Sequence, residues 1–78
     1  MVSVKLFAQA AEIAAKSEIE IVGSTVSEIS AELIKLYGDE FETLLKQSQV
    51  WVNGSSAPLN RDLTAGDEVA VLPPVSGG

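Results

Sequence analysis

Cysteine and histidine are both missing from this sequence. With them go the thiol and imidazole groups on which nucleophile–base pairs and the usual zinc sites depend. No disulfide can brace the chain, so at 78 residues its stability must come from a single well-filled apolar core. Basic residues are scarce: five Lys and Arg against eleven Asp and Glu leave a net charge of -6, the wrong sign for a phosphate backbone. No apolar run reaches the ~18 residues of a membrane helix. Lys5 interrupts the first apolar stretch where a leader would show a basic lead and then a long apolar run, so Ala8 and Ala10 only imitate a cleavage site. The lack of cysteine fits a reducing compartment, and a cytoplasmic location is the expectation.

What is present argues for a compact fold. A hydrophobic fraction of 46% is well above that of chains kept disordered by charge. In VSVKLF, Val2, Val4 and Leu6 alternate with Ser3, Lys5 and Phe7, the period of a strand with one buried face. The Ala-rich segment Gln9 to Lys16 follows, with Glu12 and Lys16 at helical spacing, and predicts a short helical turn. Ile19 and Ile21 alternate with Glu18 and Glu20 in a second strand that pairs with the first. After Gly23 and Ser24, Thr25 and Glu28 have the spacing of a capping box, and Val26, Ile29, Leu33 and Leu36 predict an amphipathic helix from Thr25 to Tyr37. Gly38 ends it, and Asp39 is expected to cap a second short helix through Lys46 that tucks Phe41, Leu44 and Leu45 inward.

The remaining chain returns to strand period. Val50 and Val52 flank Trp51, Asn53-Gly54 is a strong hairpin signal, and Ser55 to Pro58 allow only a brief edge strand. Leu63, Gly66 and Asp67 lead through a turn into EVAVL, which Pro73 and Pro74 terminate. One domain over residues 1–72 followed by a flexible tail over 73–78 is the expected organisation, in an α+β arrangement with the helix on one face of a mixed sheet.

The acidic side chains are scattered as on a solvated surface, and the serines lack a base, so an independent active site is not expected. Parity turns Phe7, Trp51 and Leu72 away from the helix. Two readings of that face stand open: an exposed patch for a partner, or a surface covered by the second short helix or a loop. The tail PPVSGG adds a second candidate. Its prolines favour a stiff extended stem, its six residues span at most roughly 20 Å, and Gly77 and Gly78 have no Cβ to keep a narrow channel from admitting the backbone.

The strand running into Leu6-Phe7-Ala8-Gln9, the Val52-Asn53-Gly54 turn and above all LTAGDEVAVLPPVSGG from Leu63 to Gly78 resemble the small subunit of molybdopterin synthase, the MoaD-type sulfur carriers, over essentially the whole chain. The resemblance implies a ubiquitin-like β-grasp fold with a four- to five-stranded sheet. It implies that an ATP-dependent partner adenylates the carboxylate of Gly78, that a sulfur donor converts it to a thiocarboxylate, and that the large synthase subunit receives the tail and passes sulfur to a pyranopterin precursor in molybdenum cofactor biosynthesis. The carrier is then a cosubstrate with no permanently bound cofactor or metal. Gly77 gives access to Gly78, while Phe7, Trp51, Leu72, Pro73, Pro74, Val75 and Ser76 contact partners. Ser56 departs from relatives that carry a larger apolar residue at its position. Rival readings are a ubiquitin-like modifier joined through Gly78 to lysines, alone or alongside sulfur transfer, a thiamin-pathway carrier, and a passive interaction module.

Overall fold

The computed structural model describes residues 1–74, so Val75, Ser76, Gly77 and Gly78 of the expected tail lie outside the described residues. Five strands, β1 (Val2–Leu6), β2 (Glu18–Ile21), β3 (Gln49–Val52), β4 (Ser55–Ser56) and β5 (Glu68–Leu72), form one sheet in the order β2-β1-β5-β3-β4. The central pair, β1 and β5, is parallel, and the other pairings are antiparallel. Helices α1 (Ala8–Ala14), α2 (Val26–Tyr37) and α3 (Asp39–Gln47) all bury side chains in the same core. This is the β-grasp arrangement, with somewhat more helix than a single main helix and a few turns.

The alternation read from the sequence sets the layers. In β1, Val2, Val4 and Leu6 are buried, and the register sets Val4 beside Val69 and Leu6 beside Val71, with Val52 joining from β3. Each of these side chains is at most 2% exposed. The helices close the layer with Val26, Ile29 and Leu33 from α2 and Phe41 and Leu44 from α3. Leu36 was expected on the same stripe but is 55% exposed. At the last turn of α2 the inward place goes to Tyr37, whose ring lies 5.3 Å from that of Phe41. Gly23 sits close to α2: a Cβ there would lie 2.9 Å from Ile29 Cδ1, so the buried Ile29 would have to shift to admit one.

Helix ends depart from the expected capping in instructive ways. Thr25 Oγ1 accepts from the Glu28 N–H at 3.2 Å, as a capping box requires, but the Glu28 carboxylate turns back to the Ser24 N–H at 2.9 Å and the Ser24 hydroxyl instead of to Thr25. The first N–H groups of α2 are met by the loop before β5: Val26 N donates to the Arg61 carbonyl and Ser27 N to that of Leu59. Asp39 is the first residue of α3, not its cap; the cap position falls to Gly38, at φ 84° and ψ -163°, a region open to glycine alone. Helix α1 stops at Ala14, with Ala15 at φ 60°, so Lys16 lies beyond the helix and the expected Glu12–Lys16 helical pair does not form.

Candidate functional site: the tail exit and the outer sheet face

Strand β5 carries the chain to the tail, and its neighbours determine what lies beside the exit. Leu72 pairs with Gln49 of β3, and the parallel register that sets Leu6 beside Val71 puts Phe7 level with Leu72. Phe7 has extended dihedrals (φ -124°, ψ 153°), so it continues the parity of β1 and points to the side opposite the core, 44% exposed. One residue pair back, Ala70 lies between Lys5 on β1 and Trp51 on β3. The outer face at this end of β5 thus gathers Phe7, Leu72, Ala70 and Trp51 on three adjacent strands, flanked by Gln49 and Lys5, with half-buried Pro73 leading to exposed Pro74. Pairing ends there because proline has no N–H to continue the ladder.

Of the two readings of this face, the one with a helix laid across it finds no helix there. Helix α3 packs on the core side through Phe41 and Leu44, and α1 and α2 bury their apolar stripes there too, so among the described residues no helix covers Phe7, Trp51 and Leu72. Ser56 sits exposed on β4 opposite Trp51, which supplies the bulk on this side of the sheet from β3. An apolar groove lined by Ile34, Leu45, Val50, Ala57 and Leu59 lies between the helices and the β3–β4 edge, apart from the tail exit.

The opposite end of β5 is held by a polar clamp that the sequence reading missed. Asn53 and Gly54 both adopt positive φ (52° and 85°), the type I′ pattern of a tight hairpin. From that turn Asn53 Nδ2 donates to Asp67 Oδ1 and Asn53 Oδ1 accepts from the Glu68 N–H, each at 2.9 Å. Asp67 Oδ2 accepts from the Thr64 N–H, also at 2.9 Å. These bonds, led by the one from the Thr64 backbone, hold the Asp67 carboxyl below its ordinary range. Asp67 is thus a structural group that fixes where β5 begins, although its type and position in a turn suggested only solvated surface. The signal that could have identified it is the pairing of an Asn-Gly hairpin with an Asp just before the next strand, since both residues bond readily to nearby backbone.

Among the described residues the acidic side chains that find partners do so singly and form no acid–base constellation. Glu68 is paired with Lys5 at 3.2 Å, Glu18 accepts from the Ser3 hydroxyl, and Glu28 is held below its ordinary range chiefly by the Ser24 N–H at the start of α2. Among the described residues no group of three or more acidic side chains is placed to hold a metal ion, and no helix is long and apolar enough to cross a membrane. Of the predicted site residues the structure brings together Phe7, Trp51, Leu72 and Pro73, with Pro74 just beyond; Val75, Ser76, Gly77 and Gly78 lie outside the described residues.

Comparison with known proteins bears on the family and the fold. The ThiS family model matches residues 4–78. The small archaeal modifier protein 1 of Haloferax volcanii is 35% identical, in a match covering 95% of this chain and 97% of that protein. The solution structure of small archaeal modifier protein 1 from Methanosarcina acetivorans is similar with a TM-score of 0.88 at 27% identity, covering 99% of this chain and 95% of the other. A chain in the complex of subunits 1 and 2 of the molybdopterin-converting factor from Helicobacter pylori matches with a TM-score of 0.73 at 27% identity, covering 99% and 97%. These likenesses support the MoaD-type reading of the sequence and share its β-grasp fold. The chain belongs to the ThiS family of ubiquitin-like sulfur carriers.

Proposed function

We propose that this chain carries sulfur on the carboxylate of Gly78 and delivers it, as the small subunit of a molybdopterin synthase, to a pyranopterin precursor. The observation that carries the reading is the placement of the tail exit: β5 ends between Phe7 and Gln49, so a partner that grips Phe7, Leu72 and Trp51 has the tail at the margin of its contact surface. The Helicobacter pylori likeness supports the same partner class, since that structure joins subunit 1 to subunit 2.

A carboxylate is a poor electrophile because neither oxygen leaves readily. The activating partner supplies ATP; attack of the Gly78 carboxylate on the α-phosphorus releases pyrophosphate and leaves an acyl-adenylate. Hydrosulfide from the sulfur donor then attacks the acyl carbon, the bond to AMP breaks, and loss of the S–H proton leaves the thiocarboxylate. Shielding the mixed anhydride from water is the task of the partner's pocket, which a tail ending in two glycines can enter without side-chain clash. The chain itself contributes the carboxyl group that carries the sulfur and the docking face, and the catalytic side chains belong to its partners.

A second reading is favoured by the Haloferax volcanii relative, whose name is that of a modifier. The same activated Gly78, attacked by a lysine amine instead of a sulfur nucleophile, would yield an isopeptide. The two outcomes share the activation step and differ in the acceptor. Intact mass after incubation with ATP, an activating enzyme and a sulfur donor tests the first: the expected result is a gain equal to exchanging one oxygen for one sulfur, absent when Gly78 is deleted. Unchanged mass with competent activating enzymes would refute sulfur carriage. Lysine-linked ladders that vanish on Gly78 deletion, with cofactor synthesis intact, would establish modification in its place.

A further inference from the structure

Trp51 is the sole tryptophan of the chain. It is paired with Ala70 on one side and Ser56 on the other. Cross-strand pairs are stabilised when bulk meets bulk, yet the largest side chain in the sequence has only small partners directly opposite it. The indole is half-buried and leaves ring surface at the solvent. Its polar edge is already committed, because Nε1 donates to Gln49 Oε1 at 2.9 Å on the same face of β3. That bond orients the ring and uses its one donor. What the protein presents outward here is π surface.

The cation in this row is neutralised, and the chain as a whole is acidic. Lys5, in the same cross-strand row through Ala70, gives its ammonium to Glu68 at 3.2 Å, and the chain carries a net charge of -6. The face of an indole is the negative pole of its quadrupole, so both the ring and the surrounding field favour a cation. A guanidinium, planar and weakly hydrated, stacks on such a ring better than an ammonium does.

We propose that Trp51, its indole N–H held by Gln49, is a docking platform for an arginine side chain of the carrier's protein partner. The inference rests on the reading that partners bind the outer face, and it names the chemistry they must bring. Gln49 is a positioning residue that acts through the orientation of the ring.

The test titrates the full chain with the molybdopterin synthase large subunit encoded in the same genome, by calorimetry for all variants and by Trp51 emission where the indole remains. Trp51→Leu keeps apolar bulk and removes the π surface; binding about 3- to 30-fold weaker is expected, with Trp51→Phe in between. Gln49→Ala should shift the Trp51 emission and weaken binding a few-fold, while Gln49→Glu keeps the acceptor and restores the native emission. Raising the salt concentration should narrow the difference between the native chain and Trp51→Leu. Native affinity in a folded Trp51→Leu, with binding lost in Phe7→Asp and Leu72→Asp, would leave the docking face standing and overturn the arginine platform. Native affinity in all three, or no binding by the native chain, would remove the face reading itself. If Trp51→Leu fails to fold, Trp51→Phe and Gln49→Ala carry the test, and native affinity in both overturns it.

Discussion

The two sides of strand β5 are built from the same five residues and do opposite work. Val69 and Val71 point into the core and are essentially without exposure, while Ala70 and Leu72 on the other side are only half-buried and stand beside Trp51 and Phe7. Burying an aliphatic side chain of this size contributes on the order of 1.5–3 kcal/mol, so the inner side holds the fold together. Apolar groups on the outer side gain less from the fold and leave surface for the partner proposed above. The outer side is also graded along its length: it is polar at Glu68, where Asn53 and Asp67 fix the start of the strand, and apolar at Leu72, where the tail leaves. The strand that leads to Pro73 and Pro74 is therefore anchored at its far end and at its inner face, which suits the role proposed for the tail.

Substitutions on the two sides should separate stability from docking. The largest effect on the inner side is expected from Phe41→Ala, which empties the volume of a ring with no exposure beneath α3; it should cost about 3–5 kcal/mol in denaturant unfolding. Partner affinity per folded molecule should hardly change. On the outer side Leu72→Asp is expected to lower partner affinity by a factor of about 30 or more, as for an apolar anchor of an interface. Its cost to the unfolding free energy should stay below about 1 kcal/mol, since the residue faces away from the core. Equal losses of stability in the two variants would mean that the outer face is a second core, and the contrast would fail.

That contrast was legible in the sequence because it depends on period alone. Alternation in VSVKLF, QVWV and EVAVL fixed which residues faced the helices, and the placements of Phe7, Trp51 and Leu72 followed from it. Features that depend on one residue meeting another far along the chain were not legible. Asp67 looked like any turn carboxylate until the fold brought Asn53 against it. Leu36 kept the helical period but is more than half exposed, and Tyr37, stacked near Phe41, took its inward place. The Glu12–Lys16 pair had helical spacing, yet the helix ended first. The parallel β1–β5 pairing that brings Phe7 beside Leu72 is likewise a matter of topology, beyond the reach of local pattern.

Acid should weaken the clamped end of β5 before it touches the apolar end. Asp67 and Glu28 are both held below their ordinary values of 3.8 and 4.5 by backbone N–H donors. A carboxyl whose pKa is lower in the folded than in the unfolded chain binds fewer protons when folded. Its contribution to stability is complete above the ordinary value and is lost as pH falls through the depressed one. The urea midpoint is thus expected to hold steady from neutrality to about pH 5 and to decline below about pH 4. Asp67→Asn should lower the midpoint at neutral pH, because an amide puts an NH2 donor at one of the two oxygen positions that accept from Asn53 and Thr64, and should flatten the acid decline. A decline of unchanged steepness would mean that the clamp is not what titrates.

The smallest effect expected is a gain. Ala15 ends α1 at φ 60° and ψ 29°, a left-handed conformation in which the Cβ crowds the following carbonyl at a cost of roughly 1–2 kcal/mol. The chain accepts that conformation because it lets the N–H groups of Ala15 and Lys16 both reach the Ala11 carbonyl and turns the backbone toward β2. Glycine adopts it without the steric cost but brings a more flexible unfolded chain, which offsets part of the benefit. Ala15→Gly should therefore raise the unfolding free energy by about 0.5–1 kcal/mol, read as a higher urea midpoint at unchanged slope. Since Ala15 is remote from Leu72 in the pairing scheme, the substitution should leave partner affinity as it was. A change in affinity with the gain in stability would show that the β1–α1–β2 connection, which begins at Phe7, is coupled to the docking face, and the division between the two sides of the sheet would then be less complete than their exposures suggest.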